Sequence, residues 1–419
     1  MDVQKRLEAL LEITETRICL HCLGRHFVDV VEGPGNLLRG DRLKKEFSLE
    51  LSGPCMICGD VFDRIDDAAG MIKERVDELG LEYSSVLVGT RLPPEMVELD
   101  DEIRKRLGIQ GEGLKRDLNR ELGKRVLKLL GCSAEFEEPD LVAMVDFRGD
   151  IRVWIQINPI FLEGRYRKLV RGIPQTRWPC RKCRGRGCER CNYTGKMYPT
   201  SVEELISGPI LEAARGRDAR FHGSGREDVD VRMLGTGRPF VLEIREPRIR
   251  SLDPESLEDE VNRRAEGMVE VEGLRFSTRN RKVELKDSSQ SRYKVYRALV
   301  ELDGNVTDDD LKKLGSLDTI RQRTPVRVSH RRADMVRERR VLDISWKRLD
   351  GCLELIIKGE GGLYIKELIS GDSGRTDPSV SSVLGVPARC VALDVLEVGD
   401  EDQEAIDQKK VNPGAIQNP

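Results

Sequence analysis

The chain has 419 residues, with 71 Lys and Arg against 74 Asp and Glu, so a third of it is charged while the net charge is only -3. Such a length exceeds one ordinary core and predicts two or three domains. No run of about 18 apolar residues occurs, which excludes an ordinary helical membrane span, and the balanced charge points to a surface rich in ion pairs.

In chain order, Met1-Asp2-Val3-Gln4-Lys5-Arg6 leads into an amphipathic pattern and not a signal peptide, so a cytoplasmic protein is expected. The spacing of Leu7, Leu10, Leu11 and Ile13 predicts a helix over 4–16 that runs into Cys19 and Cys22. A second C-x-x-C, Cys55 and Cys58, follows Gly53-Pro54. Beyond it the pattern predicts a helix over 63–79, a strand over 84–89, helices over 95–107 and 114–130, and a hairpin of strands 141–146 and 153–157 around Arg148-Gly149-Asp150. Next comes the compact ribbon Cys180-Arg181-Lys182-Cys183-Arg184-Gly185-Arg186-Gly187-Cys188-Glu189-Arg190-Cys191. From Thr200 a helix is expected with Thr200 or Ser201 as its cap, since Glu203 and Glu204 fall where the helix dipole favours acids. Strands over 240–244, 296–302 and 353–357 alternate with helices, predicting an α+β half with a mixed, mainly antiparallel sheet. From about 401 the chain is polar, and this tail is expected to be disordered.

Eight of the 11 cysteines lie in those four pairs. In a cytosolic chain the spacing favours metal over disulfides, and two C-x-x-C turns supply four thiolates to one tetrahedral ion with no open position. Two structural zinc sites are therefore expected, Cys19/Cys22/Cys55/Cys58 and Cys180/Cys183/Cys188/Cys191. A redox role fits less well, because thioredoxin-like chemistry uses one such pair at a helix start. His21 and His26 become spare once four thiolates are counted, and Cys132, Cys352 and Cys390 read as packing residues.

Two basic runs stand out. One comprises Arg165, Arg167, Lys168, Arg171, Arg177, Arg181, Lys182, Arg184, Arg186 and Arg190; the other runs from Arg321 to Arg340. Either alone reads equally well as a solvated face, but together they look like a phosphate-tracking surface, which favours RNA as partner.

The most informative segment is Gly225-Arg226-Glu227-Asp228-Val229-Asp230-Val231-Arg232-Met233, followed by Leu234-Gly235-Thr236-Gly237-Arg238-Pro239-Phe240. Cations beside a carboxylate keep it ionised, and flanking glycines suit an exposed turn, so Asp228 is a candidate nucleophile or base. This segment resembles the signature of the T-loop tRNA pseudouridine synthases of archaea and eukaryotes, the Pus-ten family. Further blocks are similar too: Ser201–Ile206, Lys294–Val300, the run from Thr324 to Arg332, and Gly362–Thr376. The α+β pattern ending in Ile157–Tyr166 resembles a THUMP RNA-binding domain, and the ribbon is similar to the zinc-binding repeats of DnaJ-type chaperones.

The resemblance implies a zinc-bound segment over 1–60, a THUMP-like region over 61–174, a zinc ribbon over 175–198, a pseudouridine synthase domain over 199–402 and a tail over 403–419. It implies isomerisation of uridine at tRNA position 54, 55 or both, with the T-arm as partner, no organic cofactor and a monomer. Asp228 matches the family's essential aspartate. Tyr296 is the expected platform for the uracil, with a phenol that helps remove the C5 proton. Lys366 matches the position that pairs with the carboxylate, Tyr364 shares its pocket through strand alternation, and Arg226 fills the gap left by the flipped nucleotide. Two other readings compete. A non-catalytic RNA-binding or chaperone-like module leaves the Asp228 segment unexplained. A THUMP methyltransferase or sulfur-transfer enzyme needs a nucleotide-binding glycine loop, and Pro239-Phe240 does not open a helix after Gly235-Thr236-Gly237.

Overall fold

A computed structural model describes residues 2–287, 292–329 and 333–399. The polar tail and the His330-Arg331-Arg332 end of one matching block lie outside the described residues. The chain divides into two units, one of Met1–Pro159 with Glu246–Arg250 and one of Ile160–Arg245 with Ser251–Pro419.

The first unit runs α1 (Val3–Thr14), α2 (Leu20–Arg25), α3 (Asn36–Glu46), α4 (Ile65–Leu79), β1 (Ser85–Arg91), α5 (Pro94–Arg106), α6 (Leu114–Leu130), β2 (Ser133–Ala134), β3 (Leu141–Asp146) and β4 (Arg152–Ile157). Its sheet has the order β2-β1-β3-β4, with β1 parallel to both neighbours and β3–β4 the expected hairpin. Alternation buries Leu141, Ala143 and Val145 on one side of β3, while Leu114, Leu118, Leu122 and Val126 form the buried stripe of α6. Helices α2 and α3 meet backbone to backbone: a Cβ on Gly24 would sit 1.8 Å from the Asn36 carbonyl oxygen. Only glycine fits there.

The second unit holds β5 (Ile160–Lys168), α7 (Val202–Ala214), β6 (Asp218–Gly223), β7 (Arg232–Arg245), α8 (Pro254–Arg264), β8 (Val269–Ser277), α9 (Arg279–Asp287), β9 (Lys294–Leu302), α10 (Asp308–Lys312), β10 (Thr319–Arg323), β11 (Val336–Leu349), β12 (Cys352–Gly359), α11 (Ile365–Ser370), β13 (Thr376–Asp377), α12 (Val380–Leu384) and β14 (Ala388–Val398). Its ten-stranded sheet is ordered β13-β10-β11-β12-β9-β14-β7-β5-β8, with β6 also on β7. Every pairing is antiparallel except the short β14–β7 contact at Arg232 and Met233, so the sheet is mixed and mainly antiparallel. Ser201 caps α7, accepting from the Glu204 amide at 3.2 Å and donating to its carboxylate at 2.9 Å. Strand β5, grouped in the sequence with the THUMP-like stretch, pairs instead with β7 and β8. It belongs to the larger core because Leu162, Tyr166 and Lys168 are wholly buried there.

Candidate active site

Residues 224–231 form the turn-rich segment between β6 and β7. Gly225 adopts a φ of +78°, which an L side chain would strain. The segment is fastened from beneath. The buried Lys168 ammonium donates to the carbonyls of Ile173 (2.9 Å), Asp228 (3.0 Å) and Val229 (3.2 Å), and Gln175 donates to the Gly225 carbonyl (2.9 Å) and the Tyr166 hydroxyl (2.8 Å). Glu227 points inward, accepting from Tyr166 Oη at 2.9 Å and Arg238 Nε at 2.9 Å. All three of those side chains are buried. Burial works against charge on Arg238, yet the adjoining Glu227 carboxylate more than offsets it and the guanidinium is held more firmly protonated. Turning the chain at 227–228 sends the next carboxylate outward, so Asp228 keeps 31% of its side-chain exposure.

Asp228 opens onto a cleft of about 380 Å³ lined by Tyr296 from β9, Leu393 and Val395 from β14, and Tyr364 and Lys366 at the start of α11. Its Oδ2 accepts from Arg327 Nη1 at 2.7 Å, and Arg327 Nε also bonds the buried Glu367 at 2.6 Å. Burial opposes charge on Arg327, but the Glu367 and Asp228 carboxylates outweigh it and keep the guanidinium charged. The same guanidinium lies 6.0 Å from the centre of the Tyr364 ring. Lys366 Nζ is 3.9 Å from Asp228 and bonds Asp230 at 2.7 and 2.9 Å.

The cleft thus brings together Arg226, Asp228, Tyr296, Tyr364 and Lys366. Two details differ from the expectation. Tyr364 is the N-cap residue of α11 and Lys366 its second residue, so they share the cleft through a helix start and not through strand alternation. Among the described residues the cation that bonds Asp228 is Arg327, set down by the short 3-10 turn Val326–Val328, while Lys366 hydrogen-bonds Asp230. Arg327 was visible only as one member of a basic run and of the Thr324-Pro325-Val326-Arg327 block.

The basic runs are also less open than their composition indicates. In the first, Lys168 is buried, Arg167 pairs with Glu270 and Glu272, and Arg171 with Asp394. In the second, Arg323 pairs with Asp334 and Arg340 with Asp318. Chain-local counting misses Glu270, Glu272 and Asp394, which come from β8 and β14, whereas Asp334 lies within the second run and Asp318 just before it.

The four thiols of Cys19, Cys22, Cys55 and Cys58, and likewise those of Cys180, Cys183, Cys188 and Cys191, lie within 4.8 Å of one another. The Sγ–Sγ separations are 3.6 Å for Cys19–Cys58, 3.9 Å for Cys180–Cys188 and for Cys183–Cys191, and 3.7 Å for Cys188–Cys191. Four sulfurs about 2.3 Å from one tetrahedral ion are separated by about 3.8 Å, and no disulfide matches such spacing. Both groups could hold a metal ion. Around the ribbon group the amide of Gly187 donates to Cys183 Sγ, and those of Cys188 and Gly195 donate to Cys191 Sγ, which favours the Cys191 thiolate. Beside the first group the buried Arg25 guanidinium lies 3.4 Å from Cys22 Sγ and is itself paired with Asp100 and Asp117. Neither His21, stacked on Phe62, nor His26 joins the set.

The profile of the family "Pus10, C-terminal" matches residues 161–399, and that of "Pus10 THUMP domain, archaeal" matches residues 69–146. Among curated proteins, the tRNA pseudouridine synthase Pus10 of Methanothermobacter marburgensis is 74% identical over 400 residues, covering 96% of this chain and 100% of its own. The protein of the same name from Methanocaldococcus jannaschii is 48% identical over 358 residues, covering 83% of this chain and 76% of its own. Among solved structures, a Cbf5-Nop10-Gar1 complex is similar at a TM-score of 0.29 and 19% identity, over 48% of this chain and 47% of that one.

Proposed function

Because the chain belongs to the Pus10 family of tRNA pseudouridine synthases, we propose that it isomerises uridine in the tRNA T-loop, at position 54, position 55 or both, with Asp228 as the essential carboxylate. The observation that carries this reading is the 2.7 Å bond from Arg327 to an otherwise accessible Asp228 at the mouth of a cleft walled by Tyr296 and Tyr364.

The reaction breaks the N-glycosidic bond, turns the uracil and joins C5 to C1′, with no atom lost and no change of oxidation state. It therefore asks for an ionised carboxylate at the ribose, a flat group to hold the freed base, and a cation to keep the carboxylate charged. Asp228 serves the ribose in either role, attack at C1′ or removal of the C2′ proton. Arg327 supplies the charge, and Glu367 orients Arg327. Burial pushes the Tyr296 phenol up to about 12, so at neutral pH it is a neutral hydroxyl. This favours stacking on the base over removal of the C5 proton. Arg226 stands beside Asp228 in the cleft wall, where it would fill the space that the flipped nucleotide leaves in the RNA.

Arg327→Met is expected to lower the single-turnover rate by about 100-fold, as loss of a preorganised partner of the reacting group does. Lys366→Ala is expected to cost about tenfold, with tRNA affinity nearly unchanged, because its ammonium stands 3.9 Å from Asp228 and not in contact. Rapid-quench assays at saturating tRNA test the order; the reverse order would make Lys366 the operative cation.

Both four-cysteine groups suit structural zinc, which would tie Cys19 and Cys22 to Cys55 and Cys58, and close the ribbon. The protein should contain two zinc ions per chain by elemental analysis. Their removal should damage folding and tRNA affinity more than the chemical step. A metal-free chain that stays folded and fully active would sink this assignment. The functional proposal itself is tested by mapping pseudouridine in a T-loop tRNA transcript after incubation with the protein. Binding of that tRNA with no pseudouridine formed would favour the RNA-binding-module reading.

A further inference from the structure

Lys294 opens β9 two residues before Tyr296, so the two side chains leave the strand on one face, and both line the cleft. Next to it lies a bare patch of backbone. A Cβ on Gly225 would stand 3.2 Å from Arg238 Nη1 and 3.8 Å from Lys294 Nζ, so two cations converge on a residue that presents no side chain. Arg292 approaches the same place, its Nη1 3.3 Å from Ser224 Oγ.

Glu227 answers Arg238, but no carboxylate pairs with Lys294 among the described residues, and the charged groups that act on it are Arg238 and Arg292. Burial, followed by those two cations, lowers the Lys294 ammonium to about 8. A partly buried cation held among like charges, beside a residue with no side chain, is arranged to receive an anion, which would hold it firmly protonated.

Resting on the reading of the cleft as a uridine site, we propose that Lys294, with Arg238 fixed behind it by Glu227, binds a phosphodiester flanking the flipped target uridine. The bond places the ribose against Asp228. Lys294 is then a positioning residue that contacts substrate at the backbone and takes no part in the proton transfers, whereas the neighbouring Tyr296 meets the base. Phosphate contacts fix register without reading sequence, and this one would serve any target nucleotide that enters the cleft.

Single-turnover kinetics with T-arm hairpins test this. The hairpins carry either normal linkages or a neutral methylphosphonate on one side or the other of the target uridine, and the proteins are wild type, Lys294→Gln and Lys294→Arg. With normal linkages, Lys294→Gln should raise the half-saturating RNA concentration about tenfold, the lower end of the loss of one charge-assisted hydrogen bond. Its plateau rate should stay within about threefold, as for an interaction made equally in ground and transition states. Lys294→Arg should recover most of the affinity. One of the two neutral linkages should weaken the wild type by the same factor and Lys294→Gln by nothing further. A lowered plateau at unchanged half-saturation would overturn the proposal and move Lys294 to the chemistry; so would losses that multiply for both linkages. If Lys294→Gln melts early, the wild-type comparison stands alone, since indifference to both neutral linkages also overturns the proposal. Failure of the wild type to isomerise the normal hairpin would instead count against the functional reading itself.

Discussion

Asp228→Ala should release no tritium from T-arm tRNA labelled at uracil C5, a loss of at least about 10⁴-fold, as expected when the group that acts on the reacting centre is removed. Asp230→Ala should stay within about tenfold of wild type. The two aspartates are two residues apart and chemically identical, so the difference must come from placement. Asp228 is 31% exposed, faces the cleft and is bonded by Arg327, whereas Asp230 is 68% exposed and holds Lys366. Asp228→Ala should also leave the fold and the tRNA affinity intact. Lys168 grips the segment through backbone carbonyls, including that of Asp228 itself, and those bonds survive loss of the carboxylate. Tritium release measured beside filter binding separates the outcomes. If Asp230→Ala were the silent variant and Asp228→Ala the active one, the assignment would pass to Asp230 and Lys366.

The largest effect on stability is expected at Arg238→Met. Arg238 and Glu227 are buried against each other, and removing one partner of such a pair leaves an uncompensated charge, at a cost of about 3–5 kcal/mol. Glu227→Gln should cost less, since an amide can still accept from Arg238 and Tyr166. Replacing both by Met and Leu should recover part of the loss, because the paired charges carry a desolvation penalty of their own. Urea unfolding of the three variants checks this order. A loss below about 1 kcal/mol for Arg238→Met would mean that Glu227 finds water or another partner when the guanidinium goes. Activity should fall further than stability alone accounts for, since Glu227 is the anchor that turns Asp228 outward.

The parts of the fold set by local rules were readable in the chain. The pattern over 114–130 gave α6, the two apolar runs around Arg148-Gly149-Asp150 gave the β3–β4 hairpin, and Ser201 with Glu204 marked the start of α7. The four C-x-x-C pairs were equally plain, since ligand spacing is a local property. The cleft was legible in its members more than in its wiring. Asp228, Tyr296, Tyr364 and Lys366 stood out in their blocks, but the choice between Arg327 and Lys366 as partner of Asp228 depends on contacts 99 and 138 positions away, which no window of sequence reports. The support beneath the site was invisible for the same reason. Lys168 and Tyr166 looked like surface and strand residues until β5 was placed inside the larger sheet. Lys168 in particular carries the ordinary mark of a basic run, and burial makes it a clamp on the turn that carries Asp228 rather than a surface cation.

Strand β14 bears on the history of each molecule as it is made. It lies between β9 and β7 in the middle of the large sheet, it contributes Leu393 and Val395 to the cleft, and it spans Ala388–Val398. A chain emerging from the ribosome forms its earlier domain first, but the central slot of the second sheet stays vacant until residue 398 has cleared the exit tunnel. Until then β7 and β9 expose unpaired edges, and the wall facing Asp228 is missing. Synthesis and cleft formation are thereby coupled: a ribosome-bound intermediate can own every residue from Asp228 to Lys366 and still lack the β14 wall of the cleft.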